Sequence, residues 1–142
     1  MRRLLVVVGS VLLTLALTAP IAVAADNVTG ITIQSATVNR AGLVVIRGTM
    51  YCQNGIQWVD SQGAVTQAIG HKTTISGGFY GGSFECLNGP SSFEVAAYAS
   101  PGTFSPGWAN VQISFGWNDC GPGYCNWQWW GGNDFYVKLT KA

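Results

Sequence analysis

The sequence carries very little charge. Lys and Arg account for seven of the 142 residues and Asp and Glu for six, a formal net charge of +1. Nucleic acids and anionic membranes are bound mainly through clustered basic side chains, and no such cluster is present in the sequence. We therefore expect neither of them as a partner.

Residues typical of catalytic sites are also scarce. The single histidine, His71, lies among Lys and Thr residues, and no G-x-S-x-G elbow accompanies it. Asp119 and Asp134 flank a tryptophan-rich segment and form the pair that a small hydrolase could use. With Asn118 and Asn133 they could also offer oxygen ligands to calcium, although turn formation explains these residue types equally well. We expect no enzyme activity, no catalytic residue, no metal site and no cofactor.

The N-terminus has the pattern of a secretory leader. Arg2 and Arg3 precede an apolar stretch from Leu4 to Leu17, and Ala22-Val23-Ala24 fits the small-x-small cleavage rule. We predict a signal peptide at 1–24, with a retained membrane anchor as the competing interpretation. Cleavage leaves one domain of 118 residues at 25–142, with five basic and six acidic residues. The mature protein would be secreted, extracellular or associated with the cell wall, without contact with the membrane.

Four cysteines behind such a leader predict two disulfides. Cys120 and Cys125 bracket Gly-Pro-Gly-Tyr, a turn-forming segment that can bring the two sulfurs together, and Cys52 and Cys86 then pair by elimination. A zinc site built from four thiolates is the alternative. It lacks the paired short spacings that such sites use.

The mature chain shows no long helical period and divides into short strand-like runs. The clearest runs from Leu43 to Cys52, where apolar residues alternate with others. Val111 to Trp117 carries a second inward stripe. A turn is expected at 61–63, and the glycine pairs at 77–78 and 81–82 are expected to interrupt the strands. We predict an all-β fold, an immunoglobulin-like β-sandwich of seven to eight antiparallel strands with two disulfides. Trp58 would pack beside the longer disulfide.

Several motifs occur in the same order as in a known group of proteins. They are G-T-M-Y-C (48–52), W-V-D (58–60), Gln67, F-E-C (84–86) and F-S-P-G-W-A (104–109). This order resembles uncharacterised small secreted immunoglobulin-like proteins of actinobacteria, and the resemblance implies a fold and export but no activity. The C-x4-C hairpin is similar to one in the neocarzinostatin-type apoproteins that carry enediyne chromophores, which implies a carrier function.

Aromatic residues are concentrated near the C-terminus, where glycines interrupt them. On an extended strand Trp127 and Trp129 share one face and Trp130 takes the other, so both faces carry a large ring. Exposed rings mark recognition sites, whereas buried rings would fill the core, and the sequence leaves both open. Our candidate ligand-binding residues are Tyr124, Trp127, Trp129, Trp130, Asn133 and Tyr136.

These observations predict a non-catalytic binding module that contacts carbohydrate or other cell-envelope material through the hairpin at 118–134. Trp and Tyr rings can stack on sugar faces, while neighbouring amides can bind hydroxyl groups. One alternative is a structural cell-envelope protein that associates with itself through its sheet edges. Another is a carrier of a small hydrophobic ligand.

Overall fold

A computed structural model describes residues 28–53 and 58–142. Across these residues the chain forms seven β-strands and no helix, so an all-β fold is confirmed and no membrane-spanning helix is found. The predicted signal peptide lies outside the described residues. The strands are β1 (Val28–Val38), β2 (Val44–Cys52), β3 (Trp58–Ile69), β4 (Thr73–Glu85), β5 (Gly89–Ala97), β6 (Gly107–Gly121) and β7 (Tyr124–Lys141).

The strands form one mixed sheet in the order β4-β3-β6-β7-β1-β2-β5. Antiparallel ladders join β5-β2-β1 on one side and β4-β3-β6-β7 on the other. Between these two groups, β1 and β7 pair in parallel at only two positions, Thr37 with Thr140 and Val38 with Lys141. The prediction of antiparallel strands alone was therefore wrong, because the last strand of the chain pairs in parallel with the first.

The sheet curls so that the two groups of strands share one apolar interior. The Phe93 ring on β5 lies edge-on to that of Phe115 on β6, with centroids 5.3 Å apart. Phe84 on β4 packs against both rings at 6.2 and 6.4 Å. A disulfide between Cys52 and Cys86 ties β2 to the end of β4, and a second joins Cys120 to Cys125, so both predicted pairings are confirmed.

Alternation of apolar residues located two strands correctly. In β2 the buried positions are Val44, Ile46, Gly48, Met50 and Cys52, with exposed or half-buried residues between them. The β6 stripe from Val111 to Trp117 is likewise buried. Each Å² of apolar surface that such a stripe removes from water stabilises the fold by about 25 cal/mol.

Other parts of the prediction were wrong. The turn expected at 61–63 lies inside β3, and both glycine pairs, at 77–78 and 81–82, lie inside β4. β4 has one extra residue opposite Ser61 and Gln62, and this bulge lets the two strands stay paired through the glycine-rich sequence. Trp58 does not pack in the core. It is 60% exposed, and its neighbour Val59 is buried instead.

Candidate functional site: an aromatic face of the sheet

One side of the sheet formed by β4, β3, β6 and β7 faces away from the core and carries exposed aromatic rings. On β6 the outward residues alternate with the buried stripe, and the cross-strand register extends this face to the neighbouring strands. We call this surface the aromatic face. Its exposed rings are Trp58, Tyr80, Trp108, Trp127, Trp129 and Tyr136.

Two of the predicted ligand-binding residues form a pair at one end of the aromatic face. The indole rings of Trp127 and Trp129 meet edge to face, with centroids 5.5 Å apart and planes at 75°. The rings are 41% and 44% exposed. We call them the tryptophan pair, and together they form an angled apolar surface open to solvent.

Gly116 on β6 makes room for the tryptophan pair. A Cβ atom at this position would lie 2.7 Å from Cζ2 of Trp127 and 2.8 Å from Cζ3 of Trp129. Any side chain at residue 116 would therefore push the rings away from the sheet. On the neighbouring strand β3, Asp60 pairs with Gly116. Trp58 lies two residues before Asp60, so its exposed ring is on the same face and at the same end.

A second aromatic pair lies at the opposite end of the face. The rings of Trp108 on β6 and Tyr136 on β7 stack face to face, with centroids 4.9 Å apart and planes 3° apart. They are 54% and 72% exposed. We call them the Trp108–Tyr136 stack. Eight residue steps along β6, from Trp108 to Gly116, separate the two pairs by about 26 Å.

A bulge in β7 brings Tyr136 to this face. Ser114 pairs with Gly131, but Ile113 pairs with Asn133, so β7 has one extra residue at this point. Gly131 and Gly132 have φ angles of 106° and 85°, a region that favours glycine. The extra residue reverses which side chains face outward, and Tyr136 therefore shares a face with Trp127 and Trp129.

The remaining predicted ligand-binding residues lie elsewhere. Trp130 is half-buried on the core side, where its ring stacks on Phe115 with centroids 6.5 Å apart. Tyr124 is exposed at the tip of the hairpin, with its ring against Gly121. Asn133 is exposed but alternates with the outward-facing Asp134, so it lies on the other side of β7.

Sequence reasoning missed Trp108, although a usable signal was present. The inward stripe of β6 alternates with Trp108, Asn110, Gln112 and Ser114, so extending the same period backwards places the Trp108 ring outward. The structure also shows a groove of about 570 Å³ beside this ring, bordered by Thr66, Ile69, Asn110 and Tyr136 among others.

The polar side chains between the two aromatic pairs are mostly neutral. Gln62, Gln112 and Ser114 lie near the middle of the face, and Asn110 Nδ2 donates a 3.2 Å hydrogen bond to Asp134 Oδ1. The outward charges on the four strands are Asp60, Glu85, Asp134 and Lys138. The face therefore combines apolar rings with neutral hydrogen-bonding groups, and its few charges are mainly negative.

The two acidic residues considered for hydrolysis are not brought together. Asp134 pairs with Gln112, and Asp119 lies seven residues further along β6, about 23 Å away. Paired carboxyl groups in glycosidases are about 5–10 Å apart. His71 is exposed in the turn between β3 and β4, and within residues 28–53 and 58–142 no three His, Cys, Asp or Glu residues form a group able to hold a metal ion.

Comparisons with known proteins leave the aromatic face as the main guide to function. No protein-family model and no curated protein matches the chain, and no solved structure matches it either.

Proposed function

We propose that the protein is a secreted, non-catalytic binding module that holds carbohydrate of the cell envelope or surroundings on its aromatic face. The observation that carries this proposal is the tryptophan pair, whose two large rings remain exposed over Gly116. Contiguous exposed apolar patches on soluble proteins commonly mark the sites where a ligand or partner binds. Sugar rings suit such a surface, since their C–H faces are apolar while their hydroxyl groups bind amides.

The all-β fold and the predicted export signal support the same proposal. We interpret the two antiparallel strand groups, joined through the Cys52–Cys86 bridge, as an immunoglobulin-like sandwich of the actinobacterial type that the sequence resembles. All four cysteines are oxidised, and disulfides persist in oxidising compartments outside the cytosol. A small disulfide-bonded domain with one exposed recognition surface is a common form for an extracellular binding protein.

The test is binding to insoluble polysaccharides by the mature protein and its variants. Cellulose, chitin, xylan and peptidoglycan serve as probes in sedimentation assays. We expect at least one to retain the protein, and Trp127→Ala and Trp129→Ala each to weaken that binding about tenfold or more, as central aromatic contacts do. Tyr51→Ala is the matched control, because Tyr51 is an exposed ring on β2, outside the aromatic face. Failure of all four probes to retain the protein, or unchanged binding by the double tryptophan variant, would overturn the proposal.

Self-association is the second candidate function, and a specific feature favours it. Over residues 124–136, β7 pairs with β6 on one edge and with no described strand on the other. Unpaired strand edges are templates for pairing with another chain. Light scattering across a concentration series separates the candidates. Growth of assemblies without polysaccharide would favour a structural protein, and a constant monomer mass would count against it.

The third candidate is a carrier of a small hydrophobic ligand, and the groove beside Trp108 favours it. The groove of about 570 Å³ is within the size range of small-molecule sites, but it lies open on the sheet surface. A hydrophobic dye titrated against the protein tests this candidate. Tight binding that is lost in Trp108→Ala would support a carrier, and no binding would oppose it.

A further inference from the structure

The Trp108–Tyr136 stack has the features of a second carbohydrate-contacting site on the same face as the tryptophan pair. Each ring of the stack has one side covered by its partner, and both rings remain more than half exposed. The stack also borders the groove between β3 and the segment that leads into β6, so a ring-shaped ligand can enter beside it.

Two features of the fold fix the position of the second site. Gln67 is buried and binds the main chain of Ser105 through both its amide atoms, which holds the segment leading to Trp108. The bulge at Gly131 and Gly132 turns Tyr136 outward to meet Trp108. Both rings therefore sit on ordered strands, which lowers the entropy cost of binding.

We propose that the two aromatic pairs act as terminal subsites for one extended polysaccharide chain, which lies along β6 between them. This inference rests on the proposed function. A ligand must be nearly straight to touch both pairs, since they lie about 26 Å apart along the adjacent strands β6 and β7. A β-1,4-linked chain is an extended ribbon that presents its ring faces and hydroxyl groups along its length, whereas a helical glucan curves away.

The charges on the face select a neutral chain. Asp60 and Asp134 lie on strands beside the path, and Glu85 and Lys138 near its ends. A polyanion would be repelled by the acidic side chains, while a neutral polymer can use Gln62, Gln112 and Ser114 for hydrogen bonds. The occupant we infer is therefore a linear, uncharged β-1,4-linked polysaccharide.

Oligosaccharides of different length test this inference. Dimers and hexamers of the cello- and chito-series are titrated by calorimetry into the wild-type protein, Trp108→Ala, Tyr136→Ala and Trp129→Ala. Two linked contacts give a much larger affinity than one. We expect a hexamer to bind at least tenfold more tightly than the dimer of its series, and Trp108→Ala and Tyr136→Ala each to remove that gain, because only the contact at the tryptophan pair remains. Trp129→Ala should weaken both lengths.

The outcomes separate the two proposals. Equal affinity for dimer and hexamer, or a hexamer affinity unaffected by both Trp108→Ala and Tyr136→Ala, overturns the extended-chain inference but leaves a single sugar site at the tryptophan pair. Binding of polygalacturonate as tight as that of the neutral hexamers overturns the selection for an uncharged chain. No binding of any saccharide overturns the proposed function and this inference together. Circular dichroism of each variant establishes that it is folded.

Discussion

Gln67 and Ser105 are joined by two hydrogen bonds through one buried amide side chain. Gln67 Nε2 donates to the Ser105 carbonyl oxygen at 2.8 Å, and the Ser105 amide donates to Gln67 Oε1 at 3.0 Å. Gln67 is only 3% exposed. Neither Ser105 backbone group has another protein partner among the described residues, so the side chain of β3 fixes the segment that precedes Trp108.

Removing this side chain should destabilise the protein. In Gln67→Ala two hydrogen bonds to the main chain of the exposed Ser105 are lost, and at about 0.5–1.5 kcal/mol for each bond they contribute about 1–3 kcal/mol together. We expect the free energy of unfolding, measured by urea denaturation, to fall by about that amount. Gln34→Ala is the control, because Gln34 also donates a 2.8 Å hydrogen bond, to Thr49 Oγ1, but at an exposed position. Equal losses of unfolding free energy in both variants would show that the Gln67 side chain does not hold the Ser105 main chain.

Any side chain at residue 116 should displace the rings of the tryptophan pair. The Cβ of Gly116→Ala would lie 2.7 Å from one indole and 2.8 Å from the other, so both rings must move. We expect an altered near-ultraviolet circular dichroism spectrum, weaker polysaccharide binding and a loss in stability of up to about 1 kcal/mol, because the displaced rings lie on the exposed face.

Gly78→Ala is the matched control for Gly116→Ala. Gly78 lies on β4 on the same face of the sheet, and a Cβ there would meet only the Gly63 carbonyl oxygen, at 3.7 Å. Without a clash, replacing glycine in a strand should be neutral or stabilise by up to about 1 kcal/mol. The two glycines should therefore respond with opposite signs, and equal behaviour would show that the rings do not rest on Gly116.

The two disulfides should contribute unequally to stability. Cys52–Cys86 spans 34 residues of sequence and Cys120–Cys125 only five. In the chain-entropy model the longer loop gives about 4 kcal/mol and the shorter about 2 kcal/mol. Denaturation of the Cys52→Ala/Cys86→Ala and Cys120→Ala/Cys125→Ala double variants measures each contribution. A larger loss from the hairpin bridge would contradict this ranking.

The all-β fold, the disulfides and two strands were predictable because they depend on local patterns. A period of two in β2 and β6 reports burial directly, and a four-residue turn between Cys120 and Cys125 is a local constraint. These features require no knowledge of which strand lies beside which.

Features set by long-range register were not predictable in this way. The face that Trp58 occupies follows from pairing of β3 with β6, and Val59 rather than Trp58 enters the core. Tyr136 meets Trp108 only because a glycine bulge reverses the alternation of β7. Strict alternation from Trp129 would place Tyr136 with Trp130 on the core side, so the sequence could name Tyr136 as a candidate but could not place it beside Trp108.

Trp130 and Trp129 are adjacent in sequence but should differ in their contribution to stability. The Trp130 ring packs on Phe115 at the margin of the core, whereas Trp129 contacts Trp127 on the open face. Trp130→Ala leaves a cavity beside a fully buried ring, and we expect it to lower the free energy of unfolding by about 2–4 kcal/mol. Trp129→Ala should cost about 1 kcal/mol or less, as exposed positions usually do.

Urea denaturation and polysaccharide binding on the same variants complete this comparison. Trp129→Ala should have an unfolding midpoint close to that of the wild type and lose affinity, because its ring is available to a ligand. Trp130→Ala, measured at low temperature where it remains folded, should retain most of its affinity, since its ring faces the interior. If Trp129→Ala instead unfolds the protein as readily as Trp130→Ala, the exposed rings are structural and the aromatic face loses its role as a recognition surface.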